Sequence, residues 1–156
     1  MGALILDANV LIGLLDSADA HHERAVADVE AADTAGQELI APASAYSAVL
    51  VAFAREGRTA EAREALAAMG IRIEPLTAQA AEDAAELRAH HKHLRLPDAM
   101  VLACAIAPGR SLLTYDNRRA YASERGSAAR VDVVAQRSPS EIHESGGVGP
   151  LPPGQR

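Results

Sequence analysis

Apolar positions along this chain follow two rhythms. Short runs without charge alternate with longer stretches whose apolar residues recur every three or four positions. Ala3-Leu4-Ile5-Leu6 is the first short run, and it stops at Asp7. A continuous run of this length suits a strand buried on both faces of a parallel sheet. Leu39-Ile40-Ala41, Ile71-Arg72-Ile73 and Ser111-Leu112-Leu113-Thr114-Tyr115 predict further strands, and Val131-Asp132-Val133-Val134 predicts one at a sheet edge. The helical rhythm occupies roughly 9–15, 20–32, 42–53, 59–69, 77–91 and 97–107, with a short helix beginning at Asn117. Gly57 and Gly70 are the expected stops, Thr59 and Thr77 the expected caps, and Pro97 suits a first helical turn. Strand and helix in alternation predict an α/β/α sandwich around a central, mainly parallel sheet.

Two histidine groups fall in this frame. His21-His22-Glu23 reads as the exposed first turn of its helix. His90, His91 and His93 follow Arg88 at the end of the 77–91 helix, after Glu82, Asp83 and Glu86 near its start. That charge order complements the helix dipole and reads as a solvated last turn, although His90 and His93 would share a face. From Ser138 onward Gly, Pro and Ser dominate, so residues 1–137 are expected to form the domain and 138–156 a tail, mobile from Gly146. No internal repeat occurs.

Composition narrows the function. The 156 residues suffice for one domain with a real core, and the hydrophobic 49% is alanine-rich, with one Phe and no Trp. Fifteen Lys and Arg against 21 Asp and Glu give −6, so no broad basic field exists to coat nucleic acid. A nuclease is not excluded, because a carboxylate metal site adds negative charge of its own. The single Cys104, inside an apolar run, excludes an internal disulfide and a cysteine zinc site and reads as a buried, inert thiol. No signal-peptide pattern opens the chain, and the longest apolar run, Ala99 to Ala107, is too short for a membrane. A soluble cytoplasmic protein without membrane contact is the expectation.

The candidate chemistry lies in three aspartates. Asp7 and Asp116 each end a predicted strand, and Asp98 sits in the first turn of the helix opened by Leu96-Pro97. In open α/β sheets ligands collect at the carboxyl ends of the strands. Asp7 alone also reads as a helix N-cap. Clustered carboxylates without Cys or paired His suit Mg²⁺ or Mn²⁺, which bind phosphates and activate water. Arg118 and Arg119 could steady a phosphate there or be ordinary solvated side chains.

Leu4-Ile5-Leu6-Asp7-Ala8-Asn9, Leu96-Pro97-Asp98-Ala99 and Leu113-Thr114-Tyr115-Asp116, in this order and spacing, resemble the three aspartate signatures of a PIN domain. Ala41-Pro42-Ala43-Ser44-Ala45-Tyr46-Ser47 is similar to the second-strand segment of VapC-type toxins from bacterial toxin–antitoxin modules. The resemblance covers about residues 3 to 134. It implies a Mg²⁺- or Mn²⁺-dependent endoribonuclease acting on structured RNA, a homodimer, and a VapB-type antitoxin whose C-terminal segment fills the active groove. It makes Asp7 and Asp98 principal metal ligands, with Asp116 completing the site and Asn9 and Thr114 supporting it. One position departs from the pattern. The family usually has a glutamate after a segment like Ala45-Tyr46-Ser47, and Ala48 stands there; Glu56 lies two turns too far along. Reduced cleavage with intact folding and antitoxin binding is the expectation.

Other readings compete. A non-cutting module that binds RNA or the antitoxin would also leave an incomplete acidic site. A haloacid-dehalogenase-like phosphatase would use Asp7 as nucleophile, but its second aspartate is Asn9 here and its later lysine could only be Lys92. A receiver domain would need an aspartate at the end of the third strand and a late lysine, whereas that strand ends at Glu74-Pro75 and no late lysine exists; neither a Gly-x-Ser-x-Gly elbow nor a Walker A loop occurs.

Overall fold

A computed structural model describes residues 2–116 and 132–134. Five strands and six helices are found among them: β1 (Ala3–Leu6), α1 (Ala8–Leu15), α2 (His22–Thr34), β2 (Glu38–Pro42), α3 (Ala43–Arg55), α4 (Thr59–Ala68), β3 (Arg72–Glu74), α5 (Ala78–His90), α6 (Leu96–Ala105), β4 (Arg110–Leu113) and β5 (Asp132–Val134). The strands run parallel in the order β3-β2-β1-β4-β5. β5 lies at an edge, as its mixed sequence predicts. The helix expected after Asn117, Arg118 and Arg119, and the tail from 138, lie outside the described residues.

Burial explains the strand assignments. Ile5, Leu6, Ile40, Leu112 and Leu113 are all essentially inaccessible to solvent. Side chains alternate across a strand, so such runs require cover on both faces. α6 supplies part of it, packing across β1, β2 and β4, while α1 packs on α2 and α3. Alanine allows the helices to approach closely. A methyl built on Gly13 of α1 would lie 3.1 Å from Cβ of Ala25 in α2, and His22 Nδ1 meets the Gly13 carbonyl at 2.7 Å. His22 is therefore a part-buried link between the helices, not an exposed first-turn residue. His21 remains exposed.

Several boundaries move for physical reasons. Gly57 and Gly70 stop their helices at φ of 70° and 71°, a left-handed turn that costs glycine little. Thr77 caps α5 by accepting from the Ala80 N–H at 3.1 Å. Thr59 does not cap α4. Arg58 holds that position without a side-chain cap, and it pairs instead with Glu61 and Glu56. α5 ends at His90, so His90 and His93 do not share a helical face. β3 is shifted one residue later than Ile71-Ile73, and Glu74 joins it.

Glu74 receives a forked pair from Arg110 of β4, at 2.6 and 2.8 Å, and the same guanidinium donates to the Cys104 carbonyl at 2.9 Å. The Arg110 hydrogen bond holds the Glu74 carboxyl below its ordinary pKa. Burial, followed by the charge of Glu74, raises the Cys104 thiol, consistent with an inert core cysteine. No helix among the described residues is long and apolar enough to cross a membrane.

A carboxyl whose pKa is depressed by folding stabilises the protein above its unfolded pKa, and that contribution is lost as pH falls through the folded value. Glu74→Gln should therefore lower stability on the order of 1 kcal/mol at pH 7. The gap to the parent should close at pH well below about 4, where both forms carry a neutral side chain. Urea unfolding of both proteins at the two pH values checks this; a gap that persists in acid would assign the effect to packing.

Candidate active site at the sheet switch point

The topology fixes where a site can form. β1, β2 and β3 succeed one another outward, and the chain then returns past them to place β4 on the other side of β1. The loops leaving β1 and β4 consequently diverge, which opens a crevice at their carboxyl ends. Asp7 follows β1 directly. Thr114, Tyr115 and Asp116 follow β4. α6 leads into β4 through a short turn, so it runs back along the sheet and starts near the same edge. Its 10 residues rise about 15 Å, close to the roughly 13 Å of the four-residue β4. Asp98, in the first turn of α6, is thereby carried toward the crevice.

Asp7 is completely buried, and its carboxylate is held from two sides. Oδ1 accepts from the Ala8 N–H at 2.7 Å, so Asp7 does cap α1. Oδ2 accepts from the Thr114 hydroxyl at 2.6 Å, and Thr114 is 2% exposed. The backbone repeats the link, since the Asp7 N–H donates to the Leu113 carbonyl at 3.1 Å. Thr114 Oγ1 in turn accepts from Asn9 Nδ2 at 3.3 Å and from the Asp116 N–H at 3.1 Å. Asn9 Oδ1 takes the Tyr115 N–H at 3.3 Å. One connected network thus joins Asp7, Asn9, Thr114 and the backbone of Asp116. β4 ends at Leu113 rather than running to Tyr115, because side chains from the opposite strand end take over its hydrogen bonding.

Asp98 is 9% exposed and pairs with Arg95 Nε at 3.4 Å. Among the described residues no three His, Cys, Asp or Glu side chains form a group that could hold a metal ion. The donor set of carboxylates and a neighbouring amide and hydroxyl matches Mg²⁺ or Mn²⁺ in chemistry, without forming a closed cage. Ser44 Oγ, in the first turn of α3 just after β2, is shielded and has no hydrogen-bond partner among the described residues. Such a group is satisfied most simply by a water or ligand at this edge.

A second cluster secures the loop after β4. The Tyr115 hydroxyl donates to Asp28 Oδ2 at 3.0 Å, and Arg24 lies 4.6 Å over the tyrosine ring while pairing with Asp28 at 3.6 Å. The His21 ring lies 4.9 Å from the tyrosine ring, tilted by 33°. Burial and the Asp28 hydrogen bond hold the Tyr115 phenol protonated well above its usual range. Sequence reasoning did not identify Asp28 and Arg24. Their i, i+4 spacing on α2 signals a helix pair, but nothing local signals its tyrosine partner far along the chain. Ala48 is exposed on α3 and lines a cleft of about 410 Å³ with Ile12, Leu15, Ala52 and Phe53, so α1 and α3 face each other across it.

A parallel sheet wound outward in both directions, with a buried aspartate at the point where the winding reverses, defines an α/β domain built to bind a ligand at that crevice. The chain belongs to the PIN domain family, whose model matches residues 4–124. A toxin–antitoxin complex from Klebsiella pneumoniae is similar at 24% identity and a TM-score of 0.64, covering 85% of this chain and 97% of that one. VapC20 of Mycobacterium tuberculosis, described as a toxin that cleaves the sarcin–ricin loop, has 19% identity and a TM-score of 0.60, over 77% and 95% of the two chains. VapBC2 of Rickettsia felis, bound to promoter DNA, has 11% identity and a TM-score of 0.65, over 84% and 96%. At these identities the likeness is one of fold. No curated protein sequence matches the chain.

Thr114→Val should destabilise the protein by about 1–3 kcal/mol, because a buried carboxylate loses its hydroxyl donor. Thr114→Ser should recover most of this. Guanidinium unfolding decides, and equal stability for Val and parent would show that the hydroxyl is dispensable. Tyr115→Phe should cost about 1 kcal/mol on the same assay.

Proposed function

We propose that this chain is the toxin of a two-component toxin–antitoxin module and a metal-dependent endoribonuclease. The observation that carries the reading is the buried Asp7 carboxylate at the switch point, fixed by Thr114 and tied through it to Asn9 and Asp116, in a chain of the PIN family. Asp7, Asp98 and Asp116 would hold Mg²⁺ or Mn²⁺. Such an ion would supply charge neutralisation at a phosphodiester and a more acidic water. The chain's own groups have distinct duties. Thr114 fixes the Asp7 carboxylate, Asn9 orients Thr114 and the Tyr115 backbone, and the Tyr115–Asp28 contact anchors the loop that carries Asp116. The substrate is RNA, the inhibitor a VapB-type antitoxin, the assembly a homodimer and the compartment the cytoplasm.

Ala48 limits the activity in this proposal. A glutamate there would reach into the open cleft between α1 and α3; alanine supplies neither a ligand nor a base. Loss of a ligating or supporting group commonly lowers affinity or rate about 10–100-fold. Ala48 in place of the family's usual glutamate also supports a second reading, a binding module that does not cut.

The test is to incubate the protein with total RNA in Mn²⁺ or Mg²⁺, with and without EDTA. The parent should cut weakly, Ala48→Glu should cut about tenfold faster or more, and Asp7→Ala on the glutamate background should be silent. Metal binding is followed separately by a Mn²⁺-dependent rise in melting temperature that Asp7→Ala removes. Folded proteins that cut no RNA in any combination would transfer the assignment to the binding module.

A further inference from the structure

Total charge works against an RNA substrate, since the chain carries −6. Four of the described arginines are also neutralised locally. Arg24 pairs with Asp28, Arg58 with Glu56 and Glu61, Arg72 with Glu38 and Glu74, and Arg110 with Glu74. The segment 88–95 is different. It reads Arg-Ala-His-His-Lys-His-Leu-Arg, contains no acidic residue, and holds the only lysine and three of the 6 histidines. Arg88, His90, Lys92, His93 and Arg95 are exposed, and Arg88 and Lys92 form no ion pair among the described residues.

This segment is also built into a fixed corner. Leu94 is 7% exposed and plugs into the core, and its N–H closes a turn onto the His91 carbonyl at 3.0 Å. His90 Nδ1 meets the Glu86 carbonyl at 2.8 Å, and α5 packs against α6. With Leu94 inward, the polar side chains around it project outward. The corner then runs directly into α6, where Arg95 touches Asp98. Lys92 lies within a chain path of about 20 Å from Asp98. A solvated last turn explains the helix-dipole preference of these cations, but it does not explain an acid-free run continuing past the helix end as far as Arg95.

We propose that the α5–α6 corner, residues Arg88 to Arg95, is an electropositive lip that holds the sugar–phosphate backbone of single-stranded RNA entering the Asp7–Asp98 crevice. The lip rests on the ribonuclease reading for its ligand. Phosphate contacts of this kind position the strand without reading its sequence. They would give a net acidic protein local affinity for a polyanion, with the salt dependence of counterion release.

The experiment uses the full chain in EDTA, so that nothing is cut, and follows the anisotropy of a fluorescein-labelled oligouridylate across a salt series. An Arg88→Ala/Lys92→Ala double variant should bind at least about tenfold more weakly at low salt. Its slope of log K against log salt should be shallower by about 1.4, the equivalent of two single-strand phosphate contacts. Arg63→Ala, an exposed cation of α4, should match the parent, and circular dichroism confirms folding of each. A folded double variant with parental affinity and slope overturns the lip. So does a double variant that binds RNA normally and loses affinity only for an acidic polyglutamate peptide, which would make the corner a protein-docking surface. Cleavage in Mn²⁺ separates the two proposals. A parent that binds through the lip yet never cuts refutes the ribonuclease reading alone. A parent that cuts, with the double variant unchanged in KM and affinity, refutes the lip alone. A parent that neither binds nor cuts refutes both.

Discussion

The hydrogen bond from Thr114 to Asp7 is the contact on which the rest of this structure turns. It joins residues 107 positions apart, at the ends of the two strands that flank the point where the winding reverses. A carboxylate with no solvent access is unfavourable unless its oxygens are engaged. Here a helix N–H and a buried hydroxyl engage them. That solution ties the ends of β1 and β4 together at the base of the crevice. It also serves folding: the same aspartate that starts α1 pins that helix to the end of β4, so capping and site-building are one arrangement.

Around that contact the packing is made of small side chains. α6 presents Ala99, Val101, Leu102, Ala103 and Cys104 as buried residues, and the α1–α2 crossing is close enough that Gly13 has no room for an unopposed methyl. Close packing lets a four-residue strand such as β4 be covered by a ten-residue helix without gaps. It also sets the level at which Asp98 enters, because the length of α6 is matched to the strand it precedes. The position of that carboxylate is thus fixed by how much helix is needed to span the sheet.

Most of this was legible in the residues. Uncharged runs marked the strands, and the abrupt stop at Asp7 marked both a cap and a strand end; each proved true. Thr114 and Asn9 entered through a family resemblance, and their mutual hydrogen bond gives that resemblance a physical content. What the sequence withheld was long-range. Nothing near Tyr115 indicates that its hydroxyl meets Asp28, and the forked Glu74–Arg110 pair joins two strands that are not neighbours in the sheet. Local rules also failed where a competing partner was stronger: Thr59 lies one residue past the capping position, which Arg58 occupies while held by two glutamates.

Ala48 stands outside the core. It lies on the exposed side of α3, opposite α1, in a cleft whose walls include Ile12, Leu15, Val49 and Phe53 and whose rim carries Asp16, Glu56 and Arg58. A glutamate at this position would add a carboxylate to a lining that already carries Asp16, Glu56 and Arg58. Alanine adds no further charge to that lining. The fold itself is indifferent to the choice, because the position is exposed and contributes nothing to the core. In the proposed nuclease a substitution at this position would therefore change catalytic strength and leave structural integrity intact.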